Sequence, residues 1–238
     1  MLTGALTYAQ QFSSPSTQVS ILELFTSQGC KECPDSDKLL SEFQKNPALF
    51  KKVIPIAYHV DYWNDKGWED PLSSKASTKK QYEYATIWRK PSIYTPLFAL
   101  NGKPTRFWDI DELDLDTPHQ NKPGILSVKL NNKKFMTVHF DSNNKKHIKQ
   151  TNVVIHANIL AMDFTTKVLS GTNKGKTLHN DFVSMALKTK KSLIRDKKLS
   201  EMMHIPEFTK QQEKDYYMVL WLTDSDNLII QALAGKLN

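Results

Sequence analysis

Apolar and polar positions along the chain fall into two regimes, one of mixed period and one that alternates. The stretch from Val19 to Phe25 is short, apolar and partly β-branched, which predicts a buried strand, and Thr26 to Gly29 break it. From Cys30 the period becomes helical, with Leu39, Leu40 and Phe43 on one face and Asp35, Asp37 and Lys38 elsewhere, until Asn46 and Pro47 stop it. Val53 to Val60 predicts a second strand. A strand, a helix and a strand in close succession make a βαβ unit, whose right-handed crossover implies a partly parallel sheet. Asp61 to Pro71 has no period and reads as a long loop, after which Ser73 to Trp88 reads as an amphipathic helix carrying Tyr84, Ile87 and Trp88. Leu97 to Leu100 is a third strand, and Asn101 with Gly102 turns it into a hairpin.

After Asp109 to Pro123, which is acidic and contains two prolines, the period changes to strand alternation. Ile125–Leu130, Phe135–Phe140, Val153–Met162, Phe182–Leu187, Tyr216–Thr223 and Leu228–Ala234 are apolar over strand lengths and separated by polar turns, which predicts an all-β sandwich. The pattern therefore divides the chain into a domain over 18–115 and a second over 116–238 packed on it.

Composition changes this picture little. The net charge of +7 comes from 32 basic against 25 acidic residues, but the lysines are scattered as pairs such as Lys79-Lys80, Lys133-Lys134 and Lys145-Lys146. A solvated surface is expected, with no nucleic-acid partner. No run approaches the roughly 20 apolar residues that cross a bilayer, so no membrane insertion is expected. Met1 to Ala9 is apolar and ends in small residues, like the tail of a signal peptide, although the positive start of such a peptide is missing; Gln11 to Thr17 is a polar tether rich in serine and proline. Residues 1–17 are thus expected to be a signal-peptide remnant and tether, and the protein to be periplasmic or secreted. Nothing in the sequence sets an oligomeric state.

Candidate chemistry centres on Cys30 and Cys33, the only two cysteines, in a Cys-x-x-Cys placed at the predicted junction of strand and helix. A helix N-terminus favours an anion, so an exposed Cys30 thiolate there would be stabilised and act as nucleophile. Cys33, one turn inside, would be more buried and would resolve a mixed disulfide on Cys30. Lys31 and Glu32 push the thiol in opposite directions, and Pro34 is tolerated in the first turn, where its missing N–H has no helical acceptor. The competing readings are a structural disulfide and half a zinc site; no second Cys-x-x-Cys or His pair completes four ligands, and neither a metal nor a cofactor is expected.

Thr95-Pro96 enters the third strand beside the Asn-Gly turn, a place that suggests a cis bond holding the Thr95 backbone near the cysteines, where it could pair with an extended substrate chain. The loop with His59, Asp61, Trp63, Trp68 and Asp70 is dense in aromatic and ionisable groups at a strand's carboxyl end, where α/β sheets expose crevices, and would form the active-site rim. Alternatively, His59 and Asp61 tie down the loop while both tryptophans pack on the inserted helix. Gly171 to His179 holds two glycines and two lysines but opens no helix, so it reads as a loop of the β domain.

The first strand, the Cys-x-x-Cys helix and Tyr94-Thr95-Pro96 together resemble the thioredoxin fold over residues 18 to about 108. The segments Glu23–Pro34, His59–Trp63, Gly67–Pro71, Tyr94–Pro96 and Gly171–His179, with the closing strand hairpin, resemble the bacterial family DUF1223, whose members are described as secreted and thioredoxin-like. The resemblance implies an α/β class: a thioredoxin-like domain with a helical insertion, followed by a smaller all-β sandwich-like domain. It also draws attention to Glu23, near where exported thiol oxidases of the thioredoxin fold carry a buried acid. If Glu23 lies under Cys33, desolvation raises its pKa and it can accept that thiol's proton; otherwise it is a strand residue facing solvent or an ion pair.

These residues leave two readings of function. In one the protein is a thiol-disulfide oxidoreductase of the cell envelope, acting on protein or small-molecule thiols and disulfides through Cys30, Cys33 and Thr95-Pro96. In the other it is a non-catalytic exported binding or adaptor protein with a structural Cys30–Cys33 disulfide.

Overall fold

Strands predominate because the alternating second half supplies most of them. A computed structural model describes residues 10–111, 120–132, 134–143, 150–211 and 214–238. The expected leader at 1–9 and the boundary between 115 and 116 lie outside the described residues. In chain order the elements are β1 (Gln11–Ser13), β2 (Ser20–Thr26), α1 (Cys33–Glu42), β3 (Val53–His59), α2 (Lys75–Ile87), β4 (Leu97–Leu100), β5 (Lys103–Thr105) and a short α3 (Phe107–Asp111). There follow β6 (Gly124–Leu130), β7 (Phe135–Ser142), β8 (Gln150–Ala161), β9 (Phe164–Lys167), β10 (Thr177–Asn180), β11 (Val183–Arg195), β12 (Lys198–His204), β13 (Tyr216–Thr223) and β14 (Ile229–Lys236).

Local chemistry accounts for the elements around the cysteines. β2 pairs parallel with β3 and antiparallel with β4, and Asn101 and Gly102 take the positive φ that a tight hairpin into β5 needs. Ser74 caps α2 by accepting the Ser77 N–H at 3.1 Å. Alternation along β2 sends Thr26 to the face that α1 covers and Glu23 and Phe25 to the face that α2 covers, where Phe25 stacks on Tyr58 and meets Tyr84 edge-on.

The expected α/β class does not hold. No separate thioredoxin-like α/β domain followed by a β domain is formed; one mixed sheet of 12 strands runs through both halves of the chain. The physical reason is at the free edge of β3. The Ala57 N–H donates to the Phe182 carbonyl at 2.8 Å, and Val183 then pairs parallel with Ala57, so β11 joins β3 directly. From there β11 runs 13 residues, pairs along its length with β8 and turns into β12. β8 continues to β13 and β14, and β12 to β7, β6 and β1, so the stretch read as a tether contributes an edge strand. β9 and β10 form a separate two-stranded ribbon against α1.

Packing follows the fused sheet. Leu160, Phe182, Val219 and Trp221 from the second half belong to the same apolar cluster as Leu22, Ile54, Tyr58 and Leu40 from the first, while a second cluster, including Val128, Phe140, Ile155 and Leu220, fills the space within the β layers. A core shared in this way should melt as one unit. Leu160→Ala, which empties a fully buried site in the shared cluster, is expected to cost about 2–5 kcal/mol. Denaturant unfolding followed by tryptophan fluorescence and by far-UV circular dichroism should give one coincident transition that the substitution moves as a whole; two separated transitions would show independent halves.

Candidate active site

β2 ends at Thr26, and the next four residues turn the chain into the cysteines: the Cys30 N–H donates to the Ser27 carbonyl at 3.1 Å and the Gly29 N–H to Ser27 Oγ at 3.1 Å. Gly29 is tight against the rim loop, since a Cβ there would come within 3.2 Å of Trp63 Cβ. Cys30 and Cys33 are joined as a disulfide with Cα atoms 5.4 Å apart. Cys33 is the first residue of α1, with Pro34 next and Glu32 at the N-cap position without a side-chain cap. Cys30 therefore sits ahead of the helix, and the exposed nucleophile expected there is not observed: both cysteines are 0 % exposed.

The Gly171–His179 segment explains the cover, a role its polar composition did not reveal. The loop between β9 and β10 crosses the cysteine turn, where Asn173 Nδ2 donates to the Gln28 carbonyl at 2.9 Å and to the Cys30 carbonyl at 2.8 Å. Lys176 Nζ holds Asn173 Oδ1 at 2.9 Å, and Ser170 Oγ donates to the Gly67 carbonyl at 2.6 Å. Gly171 crosses Gly67 so closely that a Cβ on it would lie 3.1 Å from the Gly67 carbonyl carbon, and both glycines have positive φ.

On the other side of the cysteines the Thr95-Pro96 bond is cis. Trp63 spans from Gly29 to this bond, its Nε1 donating to Thr95 Oγ1 at 2.8 Å, while Gln81 Nε2 donates to the Tyr94 carbonyl at 2.7 Å. Beside Pro96 a groove of about 400 Å³ is lined by Glu32, Ser36, Tyr94, Phe98 and Phe107, with Tyr94 59 % exposed. Trp68 Nε1 donates to Gln28 Oε1 at 3.3 Å, so Trp68 supports the cysteine turn from below. Asp61 turns away to α2, accepting from Thr78 Oγ1 at 2.5 Å.

Of the carboxyl groups buried near the cysteines, Glu23 and Asp37 lie on opposite faces of the sheet. Glu23 lies on the α2 face, where Tyr84 donates to its Oε2, and so is not on the side of α1 and Cys33. Burial pushes its pKa up against the opposing pull of Lys80, Tyr84 and Tyr58. On the α1 face the buried stripe is Cys33, Ser36, Asp37 and Leu40, the spacing of one side of a helix, which puts Asp37 one turn from Cys33. Burial raises Asp37 from 3.8 to about 6, opposed by the charge of His59 and by Thr26. Behind it His59 Nδ1 meets Asp70 Oδ2 at 2.7 Å, and the Gln28 N–H donates to the same oxygen at 2.9 Å. Burial pulls His59 down, but the charge and hydrogen bond of Asp70, helped by Asp37, carry it above the ordinary imidazole value. Burial pushes Asp70 up, yet His59 and the backbone N–H groups of Gln28 and Leu72 bring it below the usual carboxylate range. The structure thus brings Cys30, Cys33, Thr95, Pro96, Trp63 and Trp68 together, places His59 one layer deeper, and leaves Glu23 and Asp61 apart from the sulfurs.

A family model described as a protein of unknown function, DUF1223, matches residues 21–223. Among solved structures the chain is similar to a crystal structure of an Agrobacterium tumefaciens protein, with 21% identity and a TM-score of 0.61 over 91% of this chain and 94% of that one. It is also similar to HBP35 of Porphyromonas gingivalis, with 14% identity and a TM-score of 0.59 over 94% of this chain and 76% of that one. At these identities the likeness concerns the fold alone. No curated protein matches the chain.

Two outcomes follow from this geometry. Asn173→Ala removes two hydrogen bonds over the cysteines, worth about 1 kcal/mol each, so reduction of the disulfide by dithiothreitol should speed up roughly ten- to thirtyfold; an unchanged rate would mean the loop does not guard the pair. A carboxyl whose folded pKa is raised stabilises the fold below its unfolded pKa and loses that contribution as pH climbs through the folded one. For Asp37 the window is 3.8 to about 6, and the contribution roughly 3 kcal/mol. Between pH 4 and 7 Asp37→Asn should therefore gain on the wild type in chemical denaturation by up to that amount.

Proposed function

The chain belongs to the DUF1223 family, and from the site it builds we propose that it is a thiol-disulfide exchange protein of the cell envelope. Cys30 exchanges with thiols or disulfides of a partner protein or small molecule, Cys33 resolves, and the Thr95-Pro96 edge with its neighbouring groove holds the partner's chain. The observation that carries this reading is the position of the pair: a Cys-x-x-Cys disulfide at the start of α1, beside a cis X-Pro bond and an open groove. Location in the periplasm or outside the cell is part of the proposal.

Complete burial of both cysteines favours a second reading, in which the disulfide is a permanent staple and the protein an exported binding or adaptor module. The two differ in potential and in trapping. Exchange requires a potential above about −270 mV, whereas structural disulfides fall below about −300 mV. Equilibration of the full chain in thiol buffers gives the first quantity. For the second, Cys33→Ala should accumulate a mixed disulfide between Cys30 and an added glutathione disulfide or peptide disulfide, absent when Cys30 is also replaced. A low potential with an unmodified Cys30 would establish the staple instead.

A further inference from the structure

Asp37 stands in a cluster whose polar atoms are buried and left open. Both of its carboxyl oxygens, the Thr26 hydroxyl, His59 Nε2 and Asn180 Nδ2 are buried and close no hydrogen bond among the described residues. They belong to four different elements: α1, the end of β2, the end of β3 and the end of β10. Thr26, His59 and Asn180 all favour the Asp37 carboxylate, while the charge of Asp70, which is paired with His59, opposes it. The remaining neighbours on α1, Asp35 and Lys38, are exposed, and Glu23 is on the far face of the sheet. A buried carboxyl left open beside two open donors, the Thr26 hydroxyl and the Asn180 amide, and beside the open Nε2 of His59 is costly unless it serves a purpose. The arrangement gives each protonation state of Asp37 something to rely on: the neutral acid avoids desolvation of a charge, while the carboxylate has the hydroxyl, the amide and the imidazole to turn to.

Besides His59, Cys33 is a group beside Asp37 that can change its own protonation once the disulfide opens. It is one helical turn from Asp37 on the same buried stripe, where side chains at this spacing lie about 5–6 Å apart at Cβ. The geometry points to Asp37 as the proton acceptor and donor for Cys33, with His59 and Asp70 as positioning residues that hold the carboxyl in place; this assignment rests on the exchange reading above. In the oxidising direction the Cys33 thiol gives its proton to the Asp37 carboxylate as its sulfur attacks Cys30 in a mixed disulfide. The Cys30–Cys33 bond forms, the bond from Cys30 to the partner's sulfur breaks, and the partner leaves as a thiolate. In the reducing direction a partner thiolate attacks Cys30, Cys33 leaves as thiolate, and Asp37 returns the proton to it. The oxidant or reductant in each case is the partner's own disulfide or thiol.

The test uses the full chain. The potential of the Cys30–Cys33 couple is measured in dithiothreitol buffers from pH 5 to 8 for the wild type, Asp37→Asn and Asp37→Glu. The wild type should show a bend near pH 6, since Asp37 binds its proton differently beside a thiol and beside a disulfide. Asp37→Asn should lose the bend and Asp37→Glu should restore it. In stopped-flow release of a chromogenic thiol from Cys30, Asp37→Asn should be slower by about a hundredfold, as for loss of a positioned acid-base group. A bend that persists in Asp37→Asn, or is missing from the wild type, overturns the assignment. If the asparagine variant does not fold, the carboxyl carbon of Asp37 is titrated by NMR in the oxidised and reduced wild type, where a midpoint that ignores the redox state overturns it as well. A couple that lies at a structural potential and traps no partner refutes the exchange reading, whereas the bend still decides whether Asp37 and Cys33 share a proton.

Discussion

The parallel junction of β11 with β3, where the Ala57 N–H donates to the Phe182 carbonyl and Val183 pairs with Ala57, makes one sheet of the two halves of the chain. Without it β3 would end the sheet as a free edge. With it the parallel entry of Val183 beside Ala57 ties β11 to β3, and the remaining β strands follow β11 outward. The same junction sets where the β9–β10 ribbon emerges. Because β11 begins at the edge of β3, the ribbon just before it in the chain lies against α1, and its loop reaches the cysteine turn. The cover over the disulfide is thus a consequence of sheet topology.

Much of this could be read from the chain, and the parts that could not share a cause. Strand period, the Asn101-Gly102 turn, the helix carrying Tyr84 and the place of Thr95-Pro96 are local properties, set by neighbours a few residues away. The partner of β3's free edge lies more than a hundred residues downstream, and alternation says that a strand exists without saying what it pairs with. The Cys33-side face of α1 escaped for a related reason. The apolar period of the helix runs through Leu39, Leu40 and Phe43, whereas the stripe under the sheet is Cys33, Ser36, Asp37 and Leu40, half of it polar. A polar residue buried for chemistry looks, in a pattern, like one facing water.

Glu23 illustrates parity. It shares its phase along β2 with Phe25, and that face belongs to α2, so the carboxyl close to the cysteines in sequence is separated from them by the thickness of the sheet. Asp37, farther along the chain, takes the place beside Cys33. The loop at Gly171–Lys176 misled in the opposite sense. Glycines and lysines suggest a solvated connection, but here the glycines let two backbones cross at Gly67 and one lysine orients Asn173.

Asn173 grips the chain by carbonyl oxygens of the backbone, those of Gln28 and Cys30. A latch of this kind is blind to spelling. Lys31 and Glu32, the two residues between the cysteines and both exposed, can be exchanged for others without disturbing it. The chemical character of the sulfur pair and the door in front of it can therefore drift independently among descendants of this fold, one through the dipeptide and the other through the loop.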